Sequence, residues 1–86
     1  MASIQDIANA AYRIKESTTV VEHRAVACAD SLRTHSARLA GSVKGSRTGE
    51  GAVQQVNQAE RAVRESAVRL SALRSEIDQF VQDLTK

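Results

Sequence analysis

The sequence predicts an all-α fold, an antiparallel hairpin of two long helices, and three observations carry that expectation. Apolar residues recur at alternating steps of three and four along both halves of the chain. All four glycines fall between residues 41 and 51, and there is no proline. Steps of three and four draw one stripe along a helix, whereas a half-buried strand needs steps of two. With no proline to kink either half, the glycine cluster is the only obvious break.

The first helix is expected over about 3–41. Ile4, Ile7, Ala11, Ile14, Thr18, Val21, Ala25, Cys28, Leu32, His35 and Leu39 keep the spacing without a slip. This seven-residue repeat favours side-by-side packing of helices. Ser3 can cap the helix, and Asp6, three residues on, completes a reciprocal capping pair. Within the stripe His35 reads as a polar layer that sets register, and its protonation would make assembly sensitive to pH.

The turn is expected at 41–51, with Gly41, Val43, Gly45, Gly49 and Gly51 as its residues. A phosphate-binding loop needs G-x-x-x-x-G-K-[ST] between a strand and a helix. Here Lys44 precedes Gly45 and no strand leads in, so the stretch reads as a connector. Gly41 or Gly45 can take the left-handed conformation that ends a helix, and Thr48 or Gly49 can lead into the next.

The second helix is expected over about 50–85. Val56, Val63, Leu70, Ile77 and Leu84 fall seven apart, with Ala52, Ala59, Ser66, Leu73 and Phe80 between them. Val53, Ala67 and Val81 widen the stripe by one position. On the outer surface, Glu60 and Glu65 each precede an arginine by four, the favourable order for helical ion pairs. At 1.5 Å per residue the two arms measure about 57 and 54 Å, so neither overhangs the other.

These helices form one domain, 1–86, with little to bury. Of its 36 hydrophobic residues 14 are alanine, with one Phe, one Tyr and no Trp, and Cys28 has no second cysteine to bond. A chain this small completes its core by assembling, so two hairpins are expected to pair into a four-helix bundle. The partner-binding stripe would be Ile7, Ile14, Val21, Leu32, Val63, Leu70, Leu73, Ile77 and Phe80, facing either a helical protein partner or a second copy. Val20, Val26, Val68 and Tyr12 lie off the stripes.

Twelve Lys and Arg against ten Asp and Glu leave a net charge of +2, too small to imply a polyanionic partner. Charge is nevertheless uneven. Arg33, Arg38, Lys44 and Arg47 make the turn end basic, whereas Asp6, Glu76, Asp78 and Asp83 make the open end acidic. The basic tip could contact an anionic surface or simply complement the dipole of the first helix; without interleaved aromatics the second reading is preferred. His23 and His35 are about 18 Å apart along a helix, too far to share a metal. No nucleophile–base or acid–base spacing emerges. The expectation is a non-enzymatic protein with no catalytic residues, no cofactor, no metal, no small-molecule substrate and no nucleic-acid partner.

The opening MASIQDIANA lacks a basic and then apolar leader pattern, and no run approaches the length of a membrane span. The chain is therefore expected in the cytoplasm, or exported without a cleaved signal peptide.

A hairpin of two helices of this length resembles the WXG family, small helical proteins associated with type VII secretion. It is similar also to the accessory proteins that partner the N-terminal helical domains of type VII-secreted toxins. The resemblance covers the whole chain and is one of length and pattern. The family's Trp-x-Gly turn corresponds to Val43-Lys44-Gly45, with no tryptophan. Its Tyr-x-x-x-Asp/Glu signal, usually after the second helix, has a counterpart in Tyr12-Arg13-Ile14-Lys15-Glu16 of the first. The resemblance implies a partner or targeting factor for a larger type VII-secreted effector or toxin, riding with that partner. The alternative is a homodimeric structural or adaptor bundle with no secretion role.

Overall fold

The computed structural model describes residues 2–84 and 86. Two helices account for nearly all of them: α1, Ile4–Ser42, and α2, Arg47–Leu84, of 39 and 38 residues. They lie antiparallel in a rod of 63 × 18 × 15 Å. The expected all-α hairpin is the observed architecture.

Helix α1 begins as its sequence dictates. The Ser3 hydroxyl accepts from the Asp6 N–H at 3.0 Å, and the Asp6 carboxylate accepts from the Ser3 N–H at 3.3 Å. Two of the N–H groups a helix start leaves free are thereby satisfied, with a negative charge at the positive end of the dipole. Hydroxyls inside the helices fold back on their own backbone. Thr18, which is buried, donates to the Ile14 carbonyl at 2.8 Å.

The reversal is tighter than the glycine count implies. Between the two helices only residues 43–46 are non-helical, against the expected turn of 41–51. The Val43 N–H donates to the Leu39 carbonyl at 3.0 Å, closing α1. Gly45 then takes φ +88°, a conformation that other residues adopt only under strain. Helix α2 starts at Arg47 because Ser46 caps it: its hydroxyl accepts from the Gly49 N–H at 3.1 Å, and its carbonyl from the Glu50 N–H at 2.8 Å. Gly49 is helical, and a Cβ there would overlap the Val43 side chain, so the missing side chain lets the two helix ends close. The last turn of α1 contains no basic residue, so the tip cations do not cap that dipole as expected.

The seam between the helices differs from the expected stripe by one row on each helix. Both share one row with it: Ala11, Thr18, Ala25, Leu32 and Leu39 in α1, and Val56, Val63, Leu70, Ile77 and Leu84 in α2. All of these are buried or half-buried. The second row of α1 is Ala8, Lys15, Glu22, Ala29 and Ser36, not Ile7, Ile14, Val21, Cys28 and His35. In α2 it is Val53, Glu60, Ala67, Arg74 and Val81, not Ala52, Ala59, Ser66, Leu73 and Phe80. Small side chains let the helices approach, and charges at the remaining positions pair across the gap. The buried apolar set is correspondingly modest among the described residues: Ala8, Ala11, Ala29, Ala67 and Val81. His35 is exposed. Its neighbour Ser36 is buried instead, as Thr18 is further along, and the Ser36 hydroxyl bonds the Asn57 side chain across the seam.

Candidate functional site: an apolar docking face

Placing the seam one row over separates the hairpin into two unlike flanks. One flank is a ladder of ion pairs. Lys15 meets Asp78 at 2.6 Å, Glu22 meets Arg74 at 2.9 Å, and Asp30 meets Arg64 at 3.0 Å. Arg64 also holds Glu60 at 3.4 Å, and Arg33 reaches Glu60 at 4.0 Å. Glu60 is thus part of the interhelical ladder and not of the outer surface. Hydrogen bonds to Asp30 and then Glu60 raise the Arg64 guanidinium above its ordinary pKa. Because the shift is upward, its stabilising effect is present below that ordinary value for as long as Asp30 and Glu60 stay ionised. Exposed pairs contribute little individually, about 0.2–1 kcal/mol. Glu22 and Arg74 are the more sheltered pair, and Arg74 also donates to the Thr19 hydroxyl at 3.5 Å.

The other flank is apolar and uncovered. At the open end a groove of about 450 Å³ runs between the helices, with Ile7, Ala11, Ile14, Leu73, Ile77 and Phe80 in its walls. It continues toward the turn past Ile14, Thr18, Val21 and Leu70. Ile14 is 54% exposed, Val21 48%, Leu73 44% and Phe80 48%, although they form one contiguous strip. Burying such a side chain completely is worth about 1.5–3 kcal/mol. Contiguous apolar surface, unlike scattered single residues, makes this strip the candidate interaction site. Tyr12, Val20, Val26 and Val68 are exposed as well.

The residues expected to bind a partner therefore fall in three places. Ile14, Val21, Leu73 and Phe80 stand on the open face; Ile7, Leu70 and Ile77 are half-buried along the groove. Leu32 and Val63 lie in the seam itself, turned to the other helix of the same hairpin. Arg38, Lys44 and Arg47 are exposed about the turn. The ladder was not foreseen, though its signal is present: charges sit at seam-row spacing in α1 and their opposites recur in reverse order in α2. His23, His35 and Cys28 are exposed. Among the described residues no group of three or more His, Cys, Asp or Glu is arranged to hold a metal ion. Nor is any described helix long and apolar enough to cross a membrane.

Comparison of the chain with known protein families, curated proteins and solved structures returns no match. What it does must be argued from the two flanks.

Proposed function

We propose that this chain is a non-enzymatic protein–protein interaction module that docks a helical surface along the strip Ile14, Val21, Leu73 and Phe80. The observation that carries this reading is a strip of large apolar side chains left uncovered beside the seam. Ile14, Val21, Leu73 and Phe80 stand about half exposed, while a neighbouring row of leucines and valines, small residues and ion pairs holds the helices together. A strip of this kind gains by covering, and another pair of helices matches its length and straightness. Pairing of two hairpins would give the four-helix bundle anticipated from the small core.

The WXG resemblance narrows the partner to a larger type VII-secreted effector or toxin. It is supported by two nearly equal helices, 39 and 38 residues, around a four-residue turn that contains Val43-Lys44-Gly45. Stoichiometric co-purification with a helical domain encoded beside this gene is the expected result; failure to co-purify removes that narrower reading.

The broader reading is tested by charge. Leu73→Glu and Ile14→Glu lie on the exposed flank and leave the seam intact, so circular dichroism should remain helical while association is abolished. Undiminished association by analytical ultracentrifugation would refute the docking face.

A further inference from the structure

The docking face is tapered. Its α2 row runs Phe80, Leu73, Ser66, Ala59, Ala52 from the open end to the turn, from the largest side chain to the smallest. Its α1 row falls likewise from Ile7 and Ile14 through Val21 to Cys28, before His35. Charge is graded along the same axis, from Asp6, Glu76 and Asp83 at the open end to Arg38, Lys44 and Arg47 at the turn.

Resting on the docking-face reading above, we infer that the occupant is a second copy of this chain seated in reverse, its turn over the first copy's open end. Two tapered faces stacked with the same ends together would set Phe80 and Leu73 against isoleucines at one end and alanine against cysteine at the other. The helices would diverge, leaving a wedge that close packing does not tolerate. Like charges would also coincide. Reversal corrects both. It runs each α1 along the partner's α1, and each α2 along the partner's α2, in opposite directions.

In the register that overlaps the full rods, Phe80 lies beside the partner's Ala59 and Leu73 beside the partner's Ser66. Val21 lies beside the partner's Cys28. In α2 large side chains meet small ones, and in α1 Val21 meets Cys28 while Ile14 comes beside the partner's His35, so the spacing of the helices stays more even than with the same ends together. Asp6 comes over the basic turn of the partner, where opposite charge fixes orientation. A twofold axis makes the second match identical to the first. A foreign partner would have to carry the same taper and the same charge gradient, which a second copy supplies by identity.

The experiment uses the full chain of 9.3 kDa in a Cys28→Ser background. Ser17 and Ser31 are exposed on the same edge of the face, and reversal brings Ser17 of one copy beside the partner's Ser31. Native mass measurement should give a dimer, and mild oxidation of Ser17→Cys/Ser31→Cys should lock it covalently. Ser17→Cys/Glu76→Cys, which same-end stacking would join, should stay unlinked. Any other pattern of linkage overturns the reversed seating.

Leu73→Glu should weaken the dimer by about tenfold or more, as loss of a central apolar anchor does. A chain monomeric up to about 100 µM, weaker than any specific dimer of use, overturns the second copy as occupant. If that monomer binds a foreign helical domain and loses it on Leu73→Glu, the docking face stands without this inference. A dimer indifferent to both Leu73→Glu and Ile14→Glu overturns the two together.

Discussion

The two flanks of the hairpin use opposite chemistry for opposite tasks. On the ladder side, Lys15–Asp78, Glu22–Arg74 and Asp30–Arg64 hold particular residues of α1 against particular residues of α2. On the groove side, Ile14, Val21, Leu73 and Phe80 leave apolar surface exposed, which on the proposed reading supplies adhesion with no demand for a particular mate. Charge pairs are weak sources of stability and strong sources of register. Apolar surface has the reverse character. If the proposed docking holds, specificity is spent inward and adhesion outward, so disturbing one flank should leave the other task largely intact.

The largest effect is expected where the helices touch most closely. Ala29 is 0% exposed, and Ala29→Leu should force the helices apart at about 1–3 kcal/mol, read by urea unfolding. Cys28→Leu, one residue round the same helix but exposed, should change stability by less than about 0.5 kcal/mol. Equal effects at the two positions would erase the distinction between the flanks. Next comes Glu22→Ala, which leaves the sheltered Arg74 without its carboxylate and should destabilise by about 1–2 kcal/mol. A double-mutant cycle with Arg74→Ala should return a coupling that shrinks as salt is added. Gly45→Ala should destabilise by about 1 kcal/mol through its positive φ, with neither flank altered. Smallest of all, Leu73→Ser should move the unfolding of the dilute chain by no more than about 0.5 kcal/mol, while its association is lost.

Much of this was legible before any coordinates. The unbroken three–four spacing identifies both helices, Ser3 and Asp6 mark the first start, and the glycines locate the reversal. The start of α2 was misplaced because Gly49 and Gly51 read as turn residues, whereas the Ser46 hydroxyl had already capped the helix.

The more instructive difference is the one-row displacement of the seam. A hydropathy pattern assigns the largest aliphatics to the inside, and it weighs Lys15, Glu22, Glu60 and Arg74 as surface. Two helices with no third neighbour follow a different preference. Alanine and serine permit close approach, and lysine, glutamate and arginine can pair while keeping their charged ends near water. Val53, Ala67 and Val81, which merely widen the stripe in the pattern, are members of the seam row itself, with Ala67 and Val81 buried. The docking residues were legible as apolar, but not as outward-facing, because that depends on which row the partner helix takes.

The four-residue turn also sets an order in time. Cross-helix bonds span 21 residues at Ser36–Asn57, 34 at Asp30–Arg64 and 55 at Thr19–Arg74. The entropy of closing a loop rises with its length, by about 0.6 kcal/mol per doubling, so contacts nearest the turn are the easiest to form first. Once they hold, each further rung encloses only a few new residues, so the hairpin is expected to close like a zip from its basic end. We expect Ser36→Ala to slow refolding and Val81→Ala chiefly to speed unfolding in stopped-flow measurements; the opposite assignment would reverse the direction. The groove between Ile14 and Phe80 lies at the far end of that zip, so on this order the apolar surface is expected to be the last part of the molecule completed.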